Sequence, residues 1–226
     1  MEKSPFKYIC LCCLCLMANI VTAQQLVKDA NGRPVFTRQY TDVQGSPYFS
    51  DSWLKGEVKL TNGESYNNID LMYDQVGDEL LFKNSKNETM SFIIPVSEFT
   101  LINTSASVPE TILFRRGYKP ADGNTEKDFY QVLCDGETPL LKRWSKKVVE
   151  SKPYSSASVI KTFEQVQVYF LVKGGIPVKI RKDTKALLEV LSDYSSQLND
   201  FIKSNNLNLK TEAGLMSLVS YYNSLK

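Results

Sequence analysis

The chain has 226 residues, with 27 lysines and arginines against 25 aspartates and glutamates, five cysteines and no histidine. A charge this close to neutral argues against a nucleic-acid binder, which carries a large basic excess. The missing imidazole excludes a Ser/His/Asp triad and a Cys/His pair, and removes the commonest metal ligand.

Taken in order, residues 1–23 have the three parts of a secretory signal: Lys3 and Lys7 in front, an apolar Ile9 to Met17 run, then Val21-Thr22-Ala23. The spacing predicts cleavage before Gln24. Cys15 lies between Leu14 and Leu16, which is not the small-residue context of a lipid-bearing cysteine. The apolar run is also shorter than the ~20 residues a spanning helix needs. The expected mature chain is exported, with no membrane span, in the periplasm or at the cell surface. Four of the five cysteines leave with the signal, so Cys134 has no internal disulfide partner and structural zinc lacks ligands. Cys134 follows Val132-Leu133 and is expected to be a buried, inert thiol. Loss of Lys3, Lys7 and Glu2 leaves 25 basic against 24 acidic residues.

Residues 24–52 read as an extended arm with turn signals at Asn31-Gly32 and Gly45-Ser46-Pro47. From residue 53 to 182 the pattern is that of an antiparallel β-rich domain. Val58 and Leu60 alternate with charged residues, Asn62-Gly63 predicts a two-residue type I′ turn, and Tyr66 to Tyr73, Leu80 to Phe82, Met90 to Ile94 and Phe99 to Ile102 follow as short strands. Ile112 to Phe114 ends at the Arg115-Arg116-Gly117 bend. Two hairpins come next, Phe129–Leu133 with Leu140–Trp144 about Asp135-Gly136, and Phe163–Val172 with Ile176–Arg181 about Gly174-Gly175. The apolar Phe163–Phe170 run suggests a strand covered on both faces.

From residue 183 to 226 the period changes to three and four: Leu187, Leu191, Leu198 and Phe201, then Leu215, Leu218, Tyr222 and Leu225. Helices are predicted from about Thr184 to Leu191 and Asp193 to Ser204, with a last one capped by Thr211. Strands followed by helices give an α+β class, a mainly antiparallel meander forming a curved sheet, sandwich or partly open barrel with two or three short C-terminal helices packed on the same domain.

The phrases Gly45-Ser46-Pro47-Tyr48-Phe49, Trp53 with Lys55-Gly56-Glu57-Val58, Tyr73-Asp74, Tyr169-Phe170-Leu171-Val172 and Tyr221-Tyr222-Asn223-Ser224-Leu225 resemble those of secreted proteins common in Bacteroidota. The resemblance implies an envelope or surface location and supplies no activity, cofactor or site residue.

Several constellations bear on chemistry. Asp70, Asp74, Asp78 and Glu79 offer carboxylates for glycosidase chemistry, in which one acid protonates the leaving oxygen and another acts as nucleophile or base. Their turn and strand-end positions equally suit solvated acids. Ser145-Lys146 and Tyr154-Ser155-Ser156 hold the atoms of a serine–lysine dyad without a spacing that joins them. Asp122-Gly123-Asn124 with Glu126 and Asp128 resembles part of a calcium loop but lacks the distal bidentate glutamate, and turn chemistry explains it without metal. Asn87-Glu88-Thr89 and Asn103-Thr104-Ser105 match the glycosylation acceptor pattern.

The basic stretch Lys142, Arg143, Trp144, Lys146 and Lys147 is the candidate patch for an anionic glycan or an acidic envelope partner, with Trp144 as a stacking platform. Its alternative is a solvated strand face whose lysines discourage edge-to-edge pairing. The expectation is a monomeric, non-enzymatic binding or interaction module without cofactor. The rivals are a histidine-free glycan hydrolase using a carboxylate pair and a carrier of an apolar ligand.

Overall fold

The computed structural model describes residues 32–34, 40, 42–104, 109–152 and 158–226. The signal segment, residues 24–31, 35–39 and 41 of the N-terminal arm, and the Tyr154-Ser155-Ser156 loop lie outside these residues. The elements are β1 (Gly32–Pro34), β2 (Val43–Gln44), β3 (Leu54–Leu60), β4 (Ser65–Asp74), β5 (Glu79–Lys83), β6 (Thr89–Phe92), β7 (Val96–Asn103), β8 (Glu110–Arg115), β9 (Tyr130–Cys134), β10 (Leu140–Ser151), β11 (Ile160–Lys173), β12 (Ile176–Ile180), α1 (Thr184–Val190), a 3-10 turn (Ser192–Tyr194), α2 (Ser195–Ser204) and α3 (Glu212–Ser224).

The strands form one open curved sheet in the order β1-β6-β5-β4-β3-β7-β8-β9-β10-β11-β12, with every neighbour antiparallel and β2 added in parallel beside β11. The class is α+β. The chain runs outward from β3 to β6, then returns to the other side of β3 as β7 and continues to β12. Alternation sets β3, whose Leu54, Gly56, Val58 and Leu60 are buried while Lys55, Glu57 and Lys59 face water.

Two details differ from expectation. Leu60 N donates to Glu64 O at 2.8 Å, so the β3–β4 hairpin closes over three loop residues, Thr61, Asn62 and Gly63, not two. Gly63 donates its N–H to Leu60 O at 3.1 Å and alone carries a positive φ, which is a type I turn closed by a left-handed glycine. In β4, Tyr66 and Ile69 are both buried although three residues apart. Gly56 pairs with Ile69 and Val58 with Tyr66, so β4 holds one extra residue, a bulge accompanied by Asn68 at φ 57°.

The sheet buries its apolar surface in two ways. From β3 to β8 it curls around its own aromatic residues: Phe99 and Phe114 stack at 4.8 Å, Tyr73 and Phe129 close on this pair at 4.9–5.4 Å, and those two rings lie 6.0 Å from each other. From β9 to β12 the cover is helical, with Leu187, Leu198, Leu215, Leu218 and Tyr222 fully buried against Leu140, Leu171 and Ile180. Asp183 caps α1 and Thr211 caps α3 through their side chains. Only Tyr169–Val172 of β11 is covered throughout. Its outer half, paired with the end of β10, is mostly half-buried or exposed, so the expectation of two covered faces holds for four residues and not for the whole strand.

Candidate functional site

The curl brings the end of β4 against β10, although four strands lie between them in the sheet order. Lys146 N donates to Gln75 O at 3.1 Å, and the segment at Pro47–Phe49 hydrogen-bonds across the same junction through Gln75 N to Pro47 O and Phe49 N to Tyr73 O, each 2.9 Å. Beyond that contact a tight turn delivers Asp78. Asp74 Oδ1 accepts from Val76 N at 2.8 Å and Gly77 N at 3.0 Å, and Asp78 follows in the left-handed region at φ 52°.

Asp78, half-buried, is the centre of a polar seam built around the buried Arg143. Its Oδ2 accepts from Arg143 Nη2 and from Phe129 N, both at 3.1 Å, and its Oδ1 accepts from the Tyr73 hydroxyl and from Arg143 Nη1 at 3.4 Å. Arg143 also donates to Asp128 Oδ1 and to Trp144 O, each at 2.7 Å, while its Nε is buried without a partner. Burial pushes the Asp78 carboxyl up to about 6, against the opposing pull of Arg143 and the bonds from Tyr73 and Phe129 N. Burial also works against the Arg143 charge, but Asp78 and Asp128 outweigh it and hold the guanidinium above its ordinary value. For Asp128 burial is outweighed by bonds from Thr125 and by Arg143, leaving it below the usual carboxylate range. A carboxylate has about four lone-pair positions, and four donors already fill those of Asp78.

Beside this seam opens a cleft of about 600 Å³. Three stretches line it: Phe92, Ile93, Pro95 and Val96 between β6 and β7; Arg116 and Gly117 after β8; and Glu126, Lys127 and Phe129 before β9. Asp78, Glu79 and Leu80 form its inner side, with Arg33, Thr61 and Ser97 at its margin. Ile93 is 56 % exposed there. The two arginines of the Arg115-Arg116-Gly117 bend divide. Arg115 is bound by Glu98 and, through two nitrogens at 2.9–3.1 Å, by Asp135. Arg116 is half-buried with its guanidinium carbon over the Phe129 ring, 4.7 Å from its centroid, where burial lowers its pKa.

The basic stretch of β10 does not form one continuous exposed surface. Lys142 is buried, ion-paired to Glu212 of α3 and 3.8 Å over the Trp144 ring. Arg143 belongs to the seam. Trp144 packs against Phe49 and donates Nε1–H to Gln131 Oε1 at 2.6 Å. Lys146 Nζ binds the carbonyls of Ser46 and Tyr48 at 2.9 and 2.6 Å. Lys147 is the exposed member, paired with Glu164 at 3.0 Å. The reading of this stretch as a solvated strand face is therefore corrected for Lys142 and Arg143, because alternate positions of β10 are covered by α3 and by the β4–β5 turn.

Of the four carboxylates, Asp70 pairs with Lys55 on the surface, and Asp74 is buried as a turn cap that also accepts from the Tyr40 hydroxyl. Asp78 is half-buried, with its side chain 16 % exposed, rather than fully solvated, and Glu79 pairs with Arg33 at 3.4 Å. Lys146 is taken up by carbonyls and not by Ser145. In the Asp122 loop, Asn124 bonds back to Ala121 O, Asp128 caps Thr125, and Asp122 pairs with Lys179. Among the described residues no three carboxylate or cysteine side chains converge as metal ligands. Cys134 is half-buried, not fully so, and burial pushes its thiol up.

Sequence reasoning did not single out Arg116 or Phe129 as neighbours. The bend and the strand start were both legible, but nothing in their spacing says that the loop between them folds back. No helix among the described residues is long and apolar enough to cross a membrane. No protein-family model, curated protein or solved structure matches this chain.

Proposed function

We propose that the chain is an exported envelope protein acting as a non-enzymatic binding module, and that the cleft beside the seam seats its ligand. The observation that carries the reading is a cleft within the size range of small-molecule sites, in which an aromatic and aliphatic wall at Phe92, Ile93, Pro95 and Phe129 stands beside a comparable set of charged and hydroxyl side chains. Two features support binding over hydrolysis. The half-buried carboxyl in the cleft, Asp78, has its acceptor positions taken up by Tyr73, Arg143 and Phe129 N, and its neighbour Glu79 is held by Arg33. The interior of the curl is filled by Tyr73, Phe99, Phe114 and Phe129, which favours a ligand at the rim over one enclosed by the sheet. The export half of the reading rests on residues 1–23 and on the resemblance to secreted Bacteroidota proteins.

Amide chemical shifts recorded against a small-fragment library test the site. Hits should perturb Phe92, Ile93, Arg116 and Phe129, and Ser97→Trp, which fills the cleft margin, should abolish them. Hits clustered elsewhere, or turnover of a glycan that depends on Asp78 and Glu79, would overturn the reading. Intact mass of the exported protein should correspond to a chain beginning at Gln24.

A further inference from the structure

Charge accounting in the cleft narrows what it takes. Of the acidic side chains there, Asp78 is committed to Arg143 and Glu79 to Arg33, leaving Glu126. Of the basic ones, Arg33 is committed to Glu79, leaving Arg116 and Lys127. Arg143 is shared between Asp78 and Asp128, which leaves the seam one negative charge, so cleft and seam together are near neutral; what the cleft offers an anion is Arg116 and Lys127, neither of which has an ion pair among the described residues.

Arg116 is the unusual member. Its neighbour Arg115 has two carboxylates, whereas Arg116 has no ion pair among the described residues. Its single side-chain hydrogen bond is a long one, Nη1 to Lys127 O at 3.5 Å. A guanidinium carries five N–H donors in a planar fork that matches an oxyanion. Here the guanidinium carbon sits 4.7 Å from the centroid of the Phe129 ring, which holds the group in place at the cleft wall. A half-desolvated cation strengthens an electrostatic contact relative to water. The residues beside it, Phe92, Ile93 and Pro95, are apolar, and Ile93 exposes more than half its surface.

We propose that the cleft binds a small organic monoanion, a carboxylate or sulfonate head on an apolar body, with Arg116 holding the head and Phe92, Ile93 and Phe129 contacting the body. This rests on the binding-module reading above and adds the ligand class. Lys127 supports the head from the exposed side, and Glu126 disfavours dianions.

Two fluorescent probes of similar shape separate the claims: 8-anilinonaphthalene-1-sulfonate, which is anionic, and N-phenyl-1-naphthylamine, which is neutral. They are titrated into the folded mature protein at pH 7. Wild type should bind the sulfonate at least tenfold more tightly than the neutral probe. Arg116→Gln should remove that preference and leave the neutral probe within twofold, with an unchanged melting temperature showing that the fold is intact. Arg116→Lys should recover part of the preference, since charge returns without the fork. Ile93→Glu should weaken both probes. Binding of both probes with equal affinity, insensitive to Arg116→Gln, would overturn the anion assignment and leave the cleft as a binding site. Binding of neither probe would overturn the binding-module reading with it. Competition completes the test: 2-naphthoate should displace the sulfonate and inorganic phosphate should not, and equal displacement by phosphate would overturn the amphiphilic class.

Discussion

The two ends of this sheet start from the same strand alternation and finish their cores differently. From β3 to β8 the apolar face curls on itself and is filled by rings, with Phe99, Phe114, Tyr73 and Phe129 in mutual contact. From β9 to β12 the face stays open enough to need α1, α2 and α3 over it. A curl closed by its own side chains needs a lock where its strands meet, and the polar seam of Asp78, Arg143, Asp128 and Tyr73 stands there. The helix-covered half is held instead by apolar burial and by polar ties at helix ends, such as Glu212 to Lys142 and Asp193 to the Tyr222 hydroxyl at 2.6 Å.

The largest expected effect comes from removing one cover. Truncation after Lys182 exposes Leu140, Leu171 and Ile180 and should give insoluble protein or a compact state without near-ultraviolet circular dichroism. A soluble truncated chain with an unchanged melting transition would show that the curl folds alone and the helices are a separate arm. Single truncations in each half come next. Phe114→Ala in the curl should cost about 3–5 kcal/mol, and Leu198→Ala under the helices about 2–5 kcal/mol, by lost transfer energy plus the cavity left behind. Chemical denaturation followed by tryptophan fluorescence and by helical circular dichroism should give one coincident transition for both variants. Separate transitions would break the single-domain account.

A smaller effect isolates the close approach of strands in the curl. A Cβ on Gly56 would lie 2.0 Å from Thr100 O and 2.7 Å from Leu71 Cδ1, so Gly56→Ala must push β3 from β7 and should cost about 1–3 kcal/mol. The smallest concerns Cys134 in the helix-covered half, which should react slowly with a thiol reagent in native buffer and rapidly in denaturant. Rapid native labelling would mean that α3 does not shield β9.

The legible and illegible parts of this fold divide along the range of the interactions. Alternation in β3, the Gly174-Gly175 hairpin with both residues at positive φ, and the Thr211 cap are local, and residue types alone point to them. The β4 bulge was not legible, because one extra residue changes which side chains face inward without changing composition. The withdrawal of Lys142 and Arg143 from water, and the half-burial of Asp78, were not legible either. Each is covered by an element distant in sequence: Arg143 meets Asp78 across 65 residues and Lys142 meets Glu212 across 70. A charged residue on a strand looks the same whether its face meets water or a partner. The cleft gathers Phe92 and Arg116 from different turns through the β7–β8 pairing, in which Glu98 faces Arg115 and Arg116 N donates to Ser97 O, and neither turn's own residues show that they will meet.

The claim that an ionic seam locks the curl is tested most directly by the pH dependence of one variant. Asp78 has a folded value of about 6 against roughly 3.9 when unfolded, so between those values the native state holds more protons than the unfolded chain. Wild-type stability should therefore rise as pH falls from 7 toward 4, by up to about 3 kcal/mol from this group. Below about pH 4 it should fall as Asp128, Asp135 and Glu212, held low in the fold, take up protons. Removing Arg143 leaves the Asp78 charge half-buried without its partner and raises its carboxyl further. Arg143→Met should thus cost about 3–5 kcal/mol at pH 7.5 by urea denaturation. The penalty should shrink clearly at pH 5, where Asp78 is protonated, and lose most of that pH dependence in an Asp78→Asn background. A penalty under about 1 kcal/mol, or one equal at both pH values, would contradict the seam as the lock of the curl.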